Sequence, residues 1–405
     1  MFEKISRTYH EYPRTFWMMI LVNFIDRLGG SLLFPFFALY LTKKFGIGMT
    51  EVGLLFAVFS VSSFIGAFPG GALTDRFGRK GIIIFSLLAT SFSTLLMGFV
   101  QTFQLFVTIA FVSGIFTDIG GPAYEAVFID VLPQEKRASG FGIRRVAFNL
   151  AIVAGPAIGG FIAARSYLAL FISDAVVSSL VAILVFLLIP ETKPALAEGE
   201  TQETTAQSFG GYLRVLRDGK FMAFVGVCML AWLVYMNMNT TMGVFLRDQH
   251  GIAEAGYGWL ISLNAAMVVL FQFPITRQAE KHPPMLMMAL GAFLFAIGLG
   301  MYGLVPTYWL FAVGMAILTV GEMVSIPIAN AVVAAFAPED MRGRYNFIYG
   351  NSWGISFAVG PYLAGLIMDN YNPNLLWLAC ALVGTIAALG FVGLHLRVRP
   401  RTVTA

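Results

Sequence analysis

Charged side chains are scarce in this sequence: Asp, Glu, Lys and Arg make up 12% of 405 residues, against 58% hydrophobic ones. A soluble globular chain carries about a quarter charged residues, so this composition cannot cover a water-facing surface. Only two cysteines occur, Cys228 and Cys380, both inside apolar runs, which argues against a disulfide framework. The four histidines (His10, His250, His282, His395) fall in loops or at a run end, so neither a histidine relay nor a clustered metal site is expected. No G-x-x-x-x-G-K-[ST] loop, nucleophile elbow or zinc-protease motif is present, which removes ATP hydrolysis and the common hydrolase chemistries. Gly298-Leu-Gly-Met-Tyr-Gly303 fits G-x-G-x-x-G but lies inside an apolar run without βαβ context, and reads as helix packing. The short alternating segments of a membrane barrel are absent as well.

What is present is apolar length. Mean hydropathy is +0.78, and the charges cluster between runs of about 20 residues, enough for a helix to cross roughly 30 Å of hydrocarbon. Twelve spans are expected, near 15–40, 51–71, 81–101, 104–129, 142–163, 168–189, 220–245, 256–275, 285–305, 308–336, 345–367 and 374–396. Of the 26 Lys and Arg, only Lys43, Lys44, Arg165 and Arg247 lie in alternate loops, and Arg27 lies within the first span. The other basic residues share one face, which the positive-inside rule makes cytoplasmic, together with both termini. The net charge of +4 is this topology signal and not a nucleic-acid footprint. The N-terminal run reads as the first span, not as a cleavable signal. Residues 193–207 are acidic and Thr/Glu/Ala-rich, with the composition of a flexible linker. The expected organisation is a six-helix bundle over 1–190, a cytoplasmic linker over 191–219, a second bundle over 220–399 and a tail over 400–405.

The halves repeat. At an offset of 205 residues, Asp75-Arg76 maps onto Glu280-Lys281, Pro133 and Arg137 onto Pro338 and Arg342, and Gly155-Pro156 onto Gly360-Pro361. Parallel repeats of this kind place a substrate site between the halves near the midplane. Gly71-Ala-Leu-Thr-Asp-Arg-Phe-Gly-Arg-Lys80, between the second and third spans, resembles the G-x-x-x-D-R-x-G-R-K signature of the major facilitator superfamily. Ala154-Gly-Pro-Ala-Ile-Gly-Gly160 is similar to the G-P-x-x-G-G signature of its antiporter branch, and Pro190-Glu-Thr192 also fits. Gly321-Glu322 with Pro327, Asn330 and 338–345 looks like the tenth helix and following loop of bacterial drug:proton antiporters. The resemblance covers essentially the whole chain. It implies an all-α membrane fold of twelve helices in two pseudo-symmetric bundles. It also implies a monomer in the cytoplasmic (inner) membrane that exports small hydrophobic or cationic compounds by alternating access. Such a protein is not an enzyme and needs no cofactor, because the proton gradient supplies the energy. The antiporters often carry an Arg four residues before a Gly in the fourth helix, whereas here Ala110 precedes Gly114. That departure keeps a sugar, metabolite or lipid facilitator or symporter as the alternative.

Candidate sites follow from intramembrane polarity. An ionisable group inside a span is costly and therefore a functional candidate. Glu322 and Asp26, near the middle of their spans, are the expected proton carriers, with Asp118 a further candidate. For Asp26, and more so for Asp118, neutralisation by Arg27 across the bundle is the competing structural reading. By the resemblance, Gly71, Asp75, Arg76, Gly78, Arg79, Lys80 and Asp130 form a cytoplasmic latch. In it Asp75 caps the eleventh helix and Arg79 reaches Asp130. The plain alternative is a basic loop with surface ion pairs worth about 1 kcal/mol or less. Gly155, Pro156, Gly159 and Gly160 make a kinked, small-faced seam in the fifth span. Asn23, Arg27, Asn237, Asn239 and Asn264 are the polar positions proposed for the cavity. Arg144 and Arg145 read as cytoplasmic anchors.

Overall fold

The structure, a computed structural model, describes residues 11–133, 136–192, 212–338 and 341–397, with the side chains of 68–72, 75 and 138 outside the description. Most of the expected linker (193–211) and the 400–405 tail thus lie outside the described residues. Every regular element among those described is helical. The first half comprises α1 (Arg14–Leu33), a 3-10 turn (Phe34–Phe36), α2 (Phe37–Phe45), α3 (Met49–Phe77), α4 (Arg79–Phe99), α5 (Phe103–Ile119), α6 (Gly121–Asp130), α7 (Arg137–Ala163) and α8 (Tyr167–Leu188). The second comprises α9 (Gly219–Tyr235), α10 (Asn237–Thr240), α11 (Met242–His250), α12 (Glu254–Ala279), α13 (Pro284–Gly300), α14 (Tyr308–Phe336), α15 (Arg342–Asn370) and α16 (Asn374–Arg397).

Among the described residues, eleven helical stretches are long and apolar enough to cross a membrane. The remaining expected span, 345–367, falls in α15, a continuous helix of 29 residues whose hydropathy is lowered by Asn346, Asn351, Ser352, Ser356, Tyr362 and several glycines. At about 1.5 Å per residue it is longer than the hydrocarbon core.

The 205-residue register is visible in the backbone. α2 and α11 start and end at equivalent positions, as do the starts of α3 and α12 and of α7 and α15. Gly46 and Gly251 both close their helices at φ 64°. Their N–H groups donate to the carbonyls of Thr42 (3.2 Å) and Arg247 (3.0 Å), themselves an equivalent pair. A left-handed residue is the common helix stop, and glycine takes it without a Cβ penalty.

Three expectations about spans change. Helix continues beyond the first and seventh expected spans, to Phe45 and His250, and is broken on the way in each. In the first, Pro35 lacks a donor and a 3-10 turn replaces one helical turn. In the seventh, Asn237 does the same work with its side chain: Nδ2 donates to the carbonyls of Leu233 (2.9 Å) and Val234 (3.3 Å), and Oδ1 accepts from Thr241 (2.8 Å). The fourth span divides at Gly120, just before Pro122. The loop expected around 71–80 is almost entirely helical, because α3 continues to Phe77 and Gly78, at φ 90°, makes the turn alone.

The chain forms two compact units. The first is 1–47, 57–197 and 252–265; its core joins Phe16, Met19 and Val22 of α1 to Ile83 of α4, Phe128 of α6 and Val181 and Val185 of α8. The second is 48–56, 198–251 and 266–405, in which α13 packs on α14 and α16, and α9 on α15 and α16. Without a hydrophobic drive between helices in lipid, contact depends on close approach. A Cβ on Gly298 would lie 2.7 Å from the carbonyl oxygen of Gly314, and the reverse is equally tight. Gly298 is therefore where α13 crosses α14, while Gly300 and Gly303 of the same run lie against α16. Phe186, Phe273, Trp309 and Leu396 stay more than half exposed, as lipid-facing side chains do.

Candidate transport site

In the first unit α1, α6 and α7 line an open cavity of about 510 Å³, with Asn23, Asp26, Arg27, Gly121, Tyr124, Glu125, Phe141, Arg144, Arg145 and Phe148 on its wall. Two carboxylates and three guanidiniums thus face one volume. Glu125 is paired with Arg144 at 2.7 Å, and the Arg144 guanidinium lies over the rings of Phe128 and Phe141. Arg27 stacks on Phe148 with its guanidinium carbon 4.2 Å from the ring centre. Asp26 and Arg27 lie on successive helical positions that diverge by about 100°, yet each still feels the other's charge. Asn23 lines the wall but spends its amide on the Met19 carbonyl (2.9 Å). Arg144 and Arg145, read from the sequence as anchors, are cavity residues; their spacing from Asp26 by more than 100 positions hid the juxtaposition.

Asp174 is a further carboxyl inside an apolar span. It is 7% exposed on α8, hydrogen-bonded to Thr94, and its Oδ1 lies 3.2 Å from where a Cβ on Gly29 would sit, one turn beyond Asp26. Asp118 is half-buried and hydrogen-bonded to Ser63 of α3. Ala110, at the place where the antiporters often carry an Arg, is fully buried.

At the α3–α4 turn Arg79 pairs with Asp130 as expected. Glu191 supplies what the motif did not predict. Its carboxylate accepts from the N–H groups of Arg79 (2.9 Å) and Lys80 (3.2 Å), capping α4 where the helix dipole favours an anion. A Cβ at Gly78 would come within 2.7 Å of Glu191 Oε2, and its φ of 90° is the conformation that favours glycine. Lys80 Nζ donates to the Phe186 carbonyl at 2.6 Å, and Arg76 lies over Phe77. The side chain of Asp75 and the surroundings of Gly71 lie outside the described residues.

The α7 seam is a set of backbone contacts. A Cβ at Gly155 would overlap Ser31 Oγ, one at Gly159 would overlap the Leu32 carbonyl oxygen, and one at Gly160 would lie 3.0 Å from Ala255 Cα. Pro156 sits inside the helix.

In the second unit Glu322 is half-buried on α14 and hydrogen-bonded to the hydroxyl of Tyr235. Tyr235 is itself enclosed by Trp232, Phe295 and Trp353, with ring centres 5.4–5.9 Å away. Next to Glu322, Gln272 donates to the Met323 carbonyl (2.9 Å) and to Thr276 (2.7 Å). Asn237 is committed to its own helix break, Asn239 is half-buried and Asn264 is buried within the first unit.

A profile of the Major Facilitator Superfamily matches residues 19–253 and 224–405. The chain belongs to the major facilitator superfamily. It is accordingly an integral, multi-pass membrane protein of a transporter family, with a small-molecule substrate. Among its relatives, a "Na(+), Li(+), K(+)/H(+) antiporter" of Planococcus maritimus is 26% identical over 363 residues, 83% of this chain and 85% of that one. The "Multidrug resistance protein MdtH" of Shigella flexneri is 22% identical over 384 residues, 93% of each chain. Among solved structures, the nucleoside transporter NupG superposes with a TM-score of 0.79 at 12% identity, covering 94% of this chain and 99% of that one. That likeness carries the fold alone.

Proposed function

We propose that this transporter is a proton-coupled antiporter that exports small, largely hydrophobic organic compounds by alternating access. Glu322 is the observation that carries the reading: a carboxyl on a membrane helix, held by a tyrosine hydroxyl within an aromatic surround. A carboxylate in such a place is expensive to keep charged, so gaining and losing a proton changes its energy more than in water. Asp26, open to the cavity of the first unit, is the second proton site; the Ser63 bond to Asp118 favours a structural role for that residue. The names of the antiporter and multidrug relatives support the same direction of transport. On this reading both termini are cytoplasmic in the inner membrane. The Arg79–Asp130–Glu191 cluster steadies the cytoplasmic ends of the first bundle. The gradient supplies about 2.3 kcal/mol per charge per 100 mV plus the pH difference.

The test uses purified protein in liposomes with an acidic lumen and a lumenal pH dye. Adding hydrophobic organic compounds should release lumenal protons, and Glu322→Gln should abolish the release while substrate binding persists. Release that survives in Glu322→Gln would remove this carboxyl from the coupling path. Substrate flux with no proton movement at all would make the protein a facilitator.

A further inference from the structure

The charge inventory of the first unit's cavity points to a substrate feature. With Glu125 and Arg144 neutralising each other at 2.7 Å, the remaining charged lining groups are Asp26, Arg27 and Arg145, a net positive set. Arg27 uses its flat face on Phe148, which leaves the edge donors of the guanidinium free. Neither Arg27 nor Arg145 makes a hydrogen bond or ion pair among the described residues. Two exposed guanidiniums thus stand on the wall of an open cavity with donors that no protein group fills among the described residues. The volume of about 510 Å³ suits a small organic molecule. Phe141, Phe148 and Tyr124 offer it apolar surface. A cation would be repelled from this volume, and a planar oxyanion matches the fork geometry of arginine.

We propose that Arg27 and Arg145 form an anion-recognising subsite that takes the carboxylate of a small amphipathic organic acid, whose apolar body lies against Phe141 and Phe148. The proposal rests on the cavity serving transport, and it refines the charge of the exported compound. Exchanging one inward proton for one outward monoanion moves two charges per cycle, so an interior-negative potential drives both halves of the exchange.

The experiment measures equilibrium binding, without gradients, to the full-length protein in neutral phosphatidylcholine liposomes. The probes are three naphthalene compounds of like shape: 2-naphthoate, its carboxamide and the trimethylammonium analogue. 2-Naphthoate should bind at least tenfold more tightly than either of the others. Arg27→Gln and Arg145→Gln should each weaken it about tenfold, as loss of a charged hydrogen bond does, while leaving carboxamide binding unchanged. Arg27→Lys should retain part of the affinity, which separates lost charge from misfolding. Equal affinity for all three probes, tightest binding of the ammonium compound, or indifference to both Arg→Gln changes would overturn the subsite. So would loss of naphthoate binding when anionic phosphatidylglycerol is added, since the headgroup would then be the occupant. Naphthoate binding without proton-coupled flux would sink the antiport reading and leave the subsite standing. Proton-coupled export of cations without naphthoate binding would do the reverse.

Discussion

Position 250 shows the repeat at the scale of one side chain. In the first half Phe45 lies 6.1 Å from Tyr40 and 5.5 Å from Phe106, ring centre to ring centre. The equivalents 205 residues on are His250, Phe245 and Phe311, at 5.2 and 4.8 Å. An imidazole therefore occupies a place the first half gives to phenylalanine. His250 ends α11, beyond the apolar span that closes at Thr240. Its Nε2 is buried with no hydrogen-bond partner among the described residues, and burial lowers its pKa from 6.5. The unfolded chain then binds the proton more readily than the folded one. Stability falls as pH drops below about 6.5, and the loss is complete below the folded value. His250→Phe should remove this acid sensitivity. Thermal unfolding of the purified protein should show the variant gaining more over the native chain at pH 5 than at pH 7.5; parallel pH profiles would rule the account out.

At the scale of helices, the two bundles solve one problem differently. The first turn of α3, within the second unit, is capped from α15: Asp369 accepts from the N–H groups of Met49 (2.9 Å) and Thr50 (2.7 Å). A Cβ at Gly365 would overlap Met49 backbone atoms, so the helices touch main chain to main chain. The equivalent helix start, α12 in the first unit, carries its own carboxylate. Glu254 accepts from the Tyr167 hydroxyl at 2.7 Å and lies 3.5 Å from Lys43 Nζ. Asp369→Ala removes two charge-assisted bonds at a helix N-terminus and should lower stability by about 1 kcal/mol. Chemical unfolding in detergent measures this; an unchanged midpoint would mean that water replaces the carboxylate at no cost. Such contacts were not legible in the sequence. Spans were, because hydropathy is a property of single residues summed along a run. Asp369 with Met49, Glu191 with Arg79, and Asp26 with Arg145 are set by tertiary packing across more than 100 residues. The Arg79–Asp130 pair was anticipated only because a family motif encodes it. The breaks at Pro35 and Asn237 leave too little trace in hydropathy to interrupt a span.

At the scale of the molecule, composition and repeat made a duplicated, many-span helical protein legible before any coordinate, since lipid imposes helices of fixed length and a basic cytoplasmic face, and the motif at 71–80 carried the resemblance to the family. Topology is the part of that reading that rests on charge bias alone. By that bias Lys281, in the α12–α13 turn, is expected on the cytoplasmic face and Asn372, between α15 and α16, on the opposite one; both are exposed. The two native thiols are buried, and Cys380 accepts weakly from Asn237 at 3.6 Å, so Cys228→Ala with Cys380→Ser gives a quiet background that keeps this acceptor. In intact cells a membrane-impermeant maleimide should label Asn372→Cys and spare Lys281→Cys until the membrane is permeabilised. The opposite pattern would invert the protein. Proton-driven exchange at Glu322 would still carry protons in and substrate out, because coupling and the gradient set the direction of net flux; the inversion would only exchange which bundle face meets the substrate first.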